Sequence, residues 1–207
     1  MATTSLVYSL LFFINGAFGN LPFHAIEQAL DETDAKGQIS NWIMFMVSNR
    51  FITLSLAGTS ITRFIPKGCP QGGVLSPFLW NLVLNDLLQQ FNFTNTIQAF
   101  ADDLCLLTQG SDISTIWDIT EAEIKRINHW CKQKGLEFSE IKIQMVLWTK
   151  NKTLKHPKHI TINKVKIEIK NSAKYLGITI DKNLNWIAHV DKTVKHCMKA
   201  ILPRKKQ

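Results

Sequence analysis

The first apolar block of the chain, Leu6 to Ile14, runs without alternation and is closed by Asn15 and Gly16. A continuous run bounded by turn formers predicts a strand buried on both faces. After Pro22 the period changes. Phe23, Ile26 and Leu30 fall at helical spacing, as do Ile39, Trp42, Ile43 and Met46 beyond a turn around Lys36 and Gly37, so two helices are predicted. The stretch RFITLSLAGTSITRFI, Arg50 to Ile65, is rich in β-branched residues around Gly58 and reads as a hairpin.

Helical spacing returns after Pro77, with Leu79, Val83 and Leu87 on one side and Asn81, Asn85 and Gln89 on the other. QAFADDLCLLT, Gln98 to Thr108, reads as strand, turn, strand. Ile113 to Cys131 is helical again, with Ile113, Ile116, Trp117, Thr120, Ile124, Ile127 and Cys131 on one face and Gly135 as its C-terminal glycine. Short strands are expected around Met145–Trp148, Ile160–Ile162, Val165–Ile169 and Tyr175–Ile180, and then a helix carrying Trp186, Val190, Val194, Cys197 and Ile201. With no repeat or low-complexity linker in between, this order predicts one mixed α/β unit with a C-terminal attachment.

Composition sharpens the picture. The 207 residues carry 24 Lys and Arg against 16 Asp and Glu, a formal charge of +8. No charged residue precedes Glu27, while the segment from Lys142 onward is crowded with lysine, which points to a partner with a phosphate backbone. Cys69, Cys105, Cys131 and Cys197 are far apart and form no CxxC pair, so neither a zinc module nor a disulfide framework is expected, and a reducing compartment fits. Ser5 to Gly19 lacks the positive flank of a signal peptide and is too short to span a bilayer, so the expectation is an intracellular protein, nuclear or cytoplasmic, with no membrane association.

The candidate chemistry centres on Asp102 and Asp103, adjacent acids inside an apolar hairpin. Two ionised carboxylates about 5 Å apart repel by roughly 3 kcal/mol at an effective dielectric of about 20. Water offsets that at an exposed turn. In a core hairpin whose tip alone reaches a cleft, a divalent cation does so, and magnesium suits a site of few carboxylates. Because strand side chains alternate, Asp102 is assigned as the primary ligand and Asp103 as a secondary one, reached at the bend or from an outer shell.

KGCPQGGVLSPFLWN, Lys67 to Asn81, places two prolines and three glycines ahead of a helix. It is either a structural turn or a loop that lets backbone approach a ligand, with Gln71 donating to a phosphate or sugar and Gly72 leaving room. Lys192, Lys195 and Lys199 recur on the helix face opposite Val190, Val194 and Ile201, and PRKKQ closes the chain. A solvated face and a phosphate-contacting face both fit them. His156 with His159, and His196 with Cys197, lack ligand spacing and read as solvated or packed histidines.

Taken together these segments resemble the reverse transcriptases of non-LTR retrotransposons, most closely the jockey-like group. GCPQGGVLSPFLWN is similar to the family's template- and nucleotide-contacting loop and FADD, Phe100 to Asp103, to its metal-binding hairpin. LEFSEIKIQMVLWTK, Leu136 to Lys150, resembles the lysine-bearing strand, with Lys142 at the lysine that protonates the leaving pyrophosphate, although Ile143 stands where a threonine is expected. KYLGITIDKNLNW, Lys174 to Trp186, resembles the primer-gripping hairpin.

The resemblance implies an α+β fold: a polymerase right-hand palm with a mainly antiparallel sheet backed by helices. The expected division is a palm over residues 1–181 and the start of a thumb, a basic helix and tail, over 182–207. It implies extension of a DNA primer on an RNA template from deoxynucleoside triphosphates with two Mg2+ ions. Asp102, Asp103 and Lys142 would be catalytic, and Phe18, Gln71 and Gly72 would bind the nucleotide. Lys192, Lys195 and Lys199 would lie on the RNA/DNA duplex.

The pattern breaks at the family's D-x-x-x-A-F-D motif. FFINGAFGN, Phe12 to Asn20, puts Phe13 at the leading aspartate and Gly19 at the trailing one, and Glu27 is the first acid in the chain. Phenylalanine offers a hard cation no lone pair, so an inactive polymerase domain is expected. A non-catalytic nucleic-acid-binding remnant is the alternative. Only five residues precede the first strand, so the fingers subdomain is expected to be missing, as are the endonuclease and zinc-knuckle regions.

Overall fold

The apolar run becomes the inner strand of an antiparallel sheet in the computed structural model, which describes residues 6–33, 37–91, 95–137, 139–149 and 159–201. This strand, β1 (Leu6–Phe13), is followed by a short helix α1 (Ala17–Asn20), then α2 (Phe23–Asp31) and α3 (Gln38–Ser48). A ribbon of β2 (Phe51–Leu56) and β3 (Thr59–Phe64) turns at Ala57 and Gly58, both at positive φ (48° and 81°), the backbone a two-residue hairpin loop requires. Next come α4 (Ser76–Leu88), the hairpin β4 (Asn95–Phe100) and β5 (Asp103–Gly110), and the long helix α5 (Ile113–Gln133).

The main sheet has the order β4-β5-β1-β6, with β6 spanning Gln144–Trp148. Leu10 stands opposite Leu106 on one side and Met145 on the other, and Leu11 opposite Cys105 and Gln144. Alternation divides the sheet into two faces. Tyr8, Leu10, Phe12, Leu104, Leu106 and Met145 join the large core with Leu79, Val83 and Leu87 of α4 and Ile116, Ile124 and Ile127 of α5. Leu11, Cys105 and Val146 form a smaller cluster with Ala173 on the opposite face.

Helices α4 and α5 are tied by Asp86, whose Oδ2 accepts from Trp130 Nε1 at 3.0 Å and from Lys134 Nζ at 3.1 Å. Asp112 caps α5 by accepting from the Thr115 N–H at 2.8 Å. Gly135 takes φ 67° after the helix ends, as its sequence position predicts. Cys69, Cys105 and Cys131 are buried free thiols and Cys197 is exposed.

Four details correct the sequence reading. The region around Lys142 is a single 3-10 turn, Glu140–Lys142, and β6 begins after it. Tyr175–Ile180 is not one strand: β9 (Ser172–Tyr175) and β10 (Ile178–Asp181) turn at Leu176 and Gly177, with φ 47° and 86°. Ile39 and Trp42 of α3 face outward, and Ile43 and Val47, with Ser40, are the buried positions. The last helix, α6 (Ile187–Ile201), exposes its apolar stripe, with Val190 54% and Val194 47% accessible. A further ribbon, β7 (His159–Ile162) and β8 (Val165–Glu168), follows β6 and adds Ile160, Ile162 and Ile167 to the large core. His156, Lys150 and Pro203–Gln207 lie outside the described residues.

Candidate active site

The two-residue loop between β4 and β5 consists of Ala101 and Asp102, with Phe100 and Asp103 as the last ladder pair. Ala101 takes φ 53°, a left-handed value costly for any residue with a Cβ. Two hydrogen bonds hold this backbone. Trp80 Nε1 donates to the Ala101 carbonyl at 2.7 Å from α4, and the Ile14 N–H donates to the Asp102 carbonyl at 3.0 Å from the end of β1. Because Asp102 sits in the loop and not in the strand, strand alternation does not separate it from Asp103 as the sequence reading assumed.

Asp103 shares its face with Cys105, opposite the helices, and is half-buried there. Burial raises its carboxyl above the ordinary aspartate range, the Asp102 charge adds to the rise, and the Lys142 ammonium works against it. The 3-10 turn therefore does bring Lys142 within electrostatic reach of Asp103. Tyr175 of β9 belongs to the same neighbourhood, its phenol raised by burial first and then by Cys105 and Asp103. Phe13 occupies the register position opposite Asp103.

The glycine-rich loop is anchored at its base and open at its tip. Gly68 N–H donates to the Leu21 carbonyl at 2.7 Å and Cys69 N–H to the Phe18 carbonyl at 2.6 Å. Gly68 takes φ 87°, and a Cβ there would lie 2.4 Å from the Gly19 carbonyl oxygen, so this close approach admits only glycine. Arg50 donates to the Gly68 carbonyl from the side, and Ser76 Oγ donates to the Pro70 carbonyl at 2.6 Å. Gln71 is exposed and Gly72 has open space around it. Phe18 lies on α1, partly buried, its ring 6.1 Å from that of Trp80. Loop base, α1 and aspartate turn thus meet at one end of the sheet.

The lysines of α6 separate. Lys192 Nζ donates to Thr179 Oγ1 at 3.3 Å and, with Lys174, Gly177, Thr179, His189, Thr193 and His196, lines a groove of about 370 Å3 between the β9–β10 hairpin and α6. Lys195 and Lys199 are exposed outside that lining. His189 accepts the Thr179 N–H at Nδ1 over 3.3 Å, so it is a packed residue of the groove wall. The buried carboxylate of Asp181 fixes the helix entry by accepting the N–H groups of Asn183, Asn185 and Trp186.

Sequence reasoning placed Trp80 in the glycine-rich segment and Lys174, Tyr175 and Thr179 in the primer-gripping hairpin but gave none of them an individual role. Trp80 carried a physical signal of its own: an indole N–H in an apolar helix must find an acceptor.

The donor set fits a divalent ion in part. Asp102 and Asp103 supply hard oxygen ligands, and their half-buried, mutually repelling charge is what a cation would neutralise. Among the described residues no group of three or more His, Cys, Asp or Glu is placed to hold a metal ion. Two adjacent carboxylates alone fall short of a bridging set for two ions.

The class of protein follows from comparison of this sheet, loop and turn with known families. Residues 4–180 match the family model described as reverse transcriptase (RNA-dependent DNA polymerase), and the chain belongs to that family. Its relatives include the putative 115 kDa protein of the type-1 retrotransposable element R1DM of Drosophila melanogaster, 25% identical over 84% of this chain and 17% of that protein. Another is the RNA-directed DNA polymerase of the mobile element jockey of Drosophila funebris, 25% identical over 70% of this chain and 16% of that protein. The chain is thus a reverse transcriptase fragment of the non-LTR retrotransposon type, spanning about a sixth of the length of these relatives.

Among solved structures, apo telomerase of Candida tropicalis superposes with a TM-score of 0.59 at 13% identity, over 85% of this chain and 34% of that one. Telomerase of Candida albicans, in complex with a fragment of telomeric RNA, gives a TM-score of 0.57 over 84% of this chain and 30% of that one. These likenesses establish the α+β palm fold. Reverse transcriptases use divalent metal ions and a nucleic-acid template. Among the described residues no helix is long and apolar enough to cross a membrane.

Proposed function

We propose that this chain is the palm, over residues 1–181, and the start of the thumb, over 182–207, of an RNA-directed DNA polymerase that holds an RNA template with its DNA primer but does not extend it. One observation carries the reading: Phe13, an apolar residue, occupies the register position opposite Asp103, where the family motif has an aspartate. A pair of Mg2+ ions supplies charge stabilisation at the attacking and leaving oxygens in two-metal transfer. Asp102 and Asp103 would hold one such ion, and Lys142, whose charge is felt at Asp103, would give a proton to a leaving pyrophosphate. Gln71 and Gly72 at the open loop, with Phe18 near the loop base, would form the side that a deoxynucleoside triphosphate approaches.

The binding-only reading gains support from the groove beside Lys192, where ammonium, hydroxyl and imidazole groups face one channel of phosphate-binding character. Fluorescence anisotropy with a labelled RNA/DNA duplex tests it. The expected result is binding that weakens steeply as salt rises, and an anisotropy that stays flat at low salt would refute it.

A further inference from the structure

We propose that Trp80 is the positioning residue of the aspartate turn: its indole N–H holds the Ala101 carbonyl and so fixes where the Asp102 and Asp103 carboxylates stand for a divalent ion. The inference rests on the reading that this turn takes a cation, and assigns the residue that prepares it.

Asp102 lies between two peptide planes, and each is clamped by a different element. The plane formed by the Ala101 carbonyl and the Asp102 N–H is held by Trp80 at 2.7 Å. The plane formed by the Asp102 carbonyl and the Asp103 N–H is held by the Ile14 N–H at 3.0 Å. With both fixed, the direction in which Asp102 leaves the backbone is fixed too. Without the first clamp, Ala101 would be free to leave its left-handed conformation (φ 53°), and the acid would swing with it.

Trp80 is suited to this work. It is wholly buried, so its N–H has no access to water and the Ala101 carbonyl is its acceptor. Its ring meets that of Phe18 at 6.1 Å, and Phe18 accepts the Cys69 N–H through its carbonyl. One side chain therefore links the glycine-rich loop, α1 and the acid turn. Pre-organised ligands bind an ion more tightly than ligands that must first be ordered.

Trp80→Phe keeps an aromatic ring in the core and removes the N–H. The control is Trp130→Phe, which deletes another buried indole N–H, bonded to Asp86 away from the turn. Mn2+ affinity of the whole chain is measured by electron paramagnetic resonance. The expected result is a dissociation constant at least about tenfold weaker in Trp80→Phe and unchanged in Trp130→Phe; equal affinity in Trp80→Phe and the native chain overturns the proposal.

Two further readouts keep the proposal distinct from the cation reading. In metal-free protein the Ile14 amide should exchange faster with solvent in Trp80→Phe than in Trp130→Phe, and unchanged protection overturns the proposal even if the native chain takes up no Mn2+. In the native chain, coupling is reciprocal, so Mg2+ should slow exchange of the Trp80 indole N–H and leave that of Trp130 unaffected. This last measurement needs no variant to fold, and an indole signal indifferent to saturating Mg2+ contradicts the proposal. Native protein that binds no Mn2+ at all refutes the cation reading itself and leaves the amide exchange to decide the role of Trp80 in the turn.

Discussion

Phe13 and Asp103 stand directly opposite one another across the β1–β5 ladder, at the end of both strands where the hairpin turn begins. Positions directly opposite on an antiparallel pair are close neighbours, so a carboxylate introduced at position 13 is expected to bear on Asp103.

Phe13→Asp should therefore restore a third oxygen ligand. Titration calorimetry with Mn2+ is expected to show affinity at least about tenfold tighter, roughly 1.4 kcal/mol, than the native chain. Without the ion the variant should melt lower, because three carboxylates then crowd a half-buried corner. Unaltered Mn2+ affinity would show that position 13 does not face the site.

Asp103 provides a test by pH. Burial and the Asp102 charge raise its carboxyl, so the folded chain holds this proton more tightly than the unfolded chain. Ionising such a group removes stability as pH rises from the ordinary aspartate value through the raised one. Asp103→Asn should match the native melting temperature below that window and exceed it at neutral pH in the absence of metal. A variant less stable than the native chain at neutral pH would contradict this.

Asp86 works in the opposite sense. Burial alone would raise its carboxyl, but donation from Trp130, Lys134 and Gln90 outweighs burial and holds it below the ordinary range. Its contribution to stability is present above the ordinary aspartate value and is lost as pH falls through the lowered one. Asp86→Ala leaves the Trp130 N–H without its acceptor and should cost about 1–3 kcal/mol in urea unfolding at neutral pH. A loss that persists undiminished in strong acid would rule out the carboxylate as its source.

How much of this was legible in the sequence depends on whether one segment carried the whole signal. Strand β1 and helix α5 were readable because their apolar residues are numerous and periodic, and the acid pair because charge in so apolar a hairpin needs an account. The turn at Leu176 and Gly177 hid inside KYLGITI, where alternation continues across it. Helix α3 has apolar residues on both sides, so periodicity did not say whether Trp42 or Val47 faces the core. For α6 the amphipathic pattern was plain, but no local signal told that its basic side, with Lys192, meets the β9–β10 hairpin. Trp80 acts through a backbone carbonyl 21 residues away, a pairing only the fold creates.

Lys192, and not the outer lysines of the helix, should dominate nucleic-acid binding. Lys192→Glu is expected to weaken duplex binding and to lower the salt dependence by about one phosphate contact, a slope change near 0.9. Lys199→Glu should do less. Equal effects from both charge reversals, measured by anisotropy over a salt series, would assign the interaction to general attraction and not to the groove.

The central claim, a polymerase palm whose cleft lacks one of its anionic ligands, is tested most directly by primer extension with the purified chain on poly(rA)/oligo(dT) with Mg2+ and thymidine triphosphate. The account predicts no incorporation above the protein-free control. Mg2+-dependent incorporation that disappears in Asp102→Ala would contradict it.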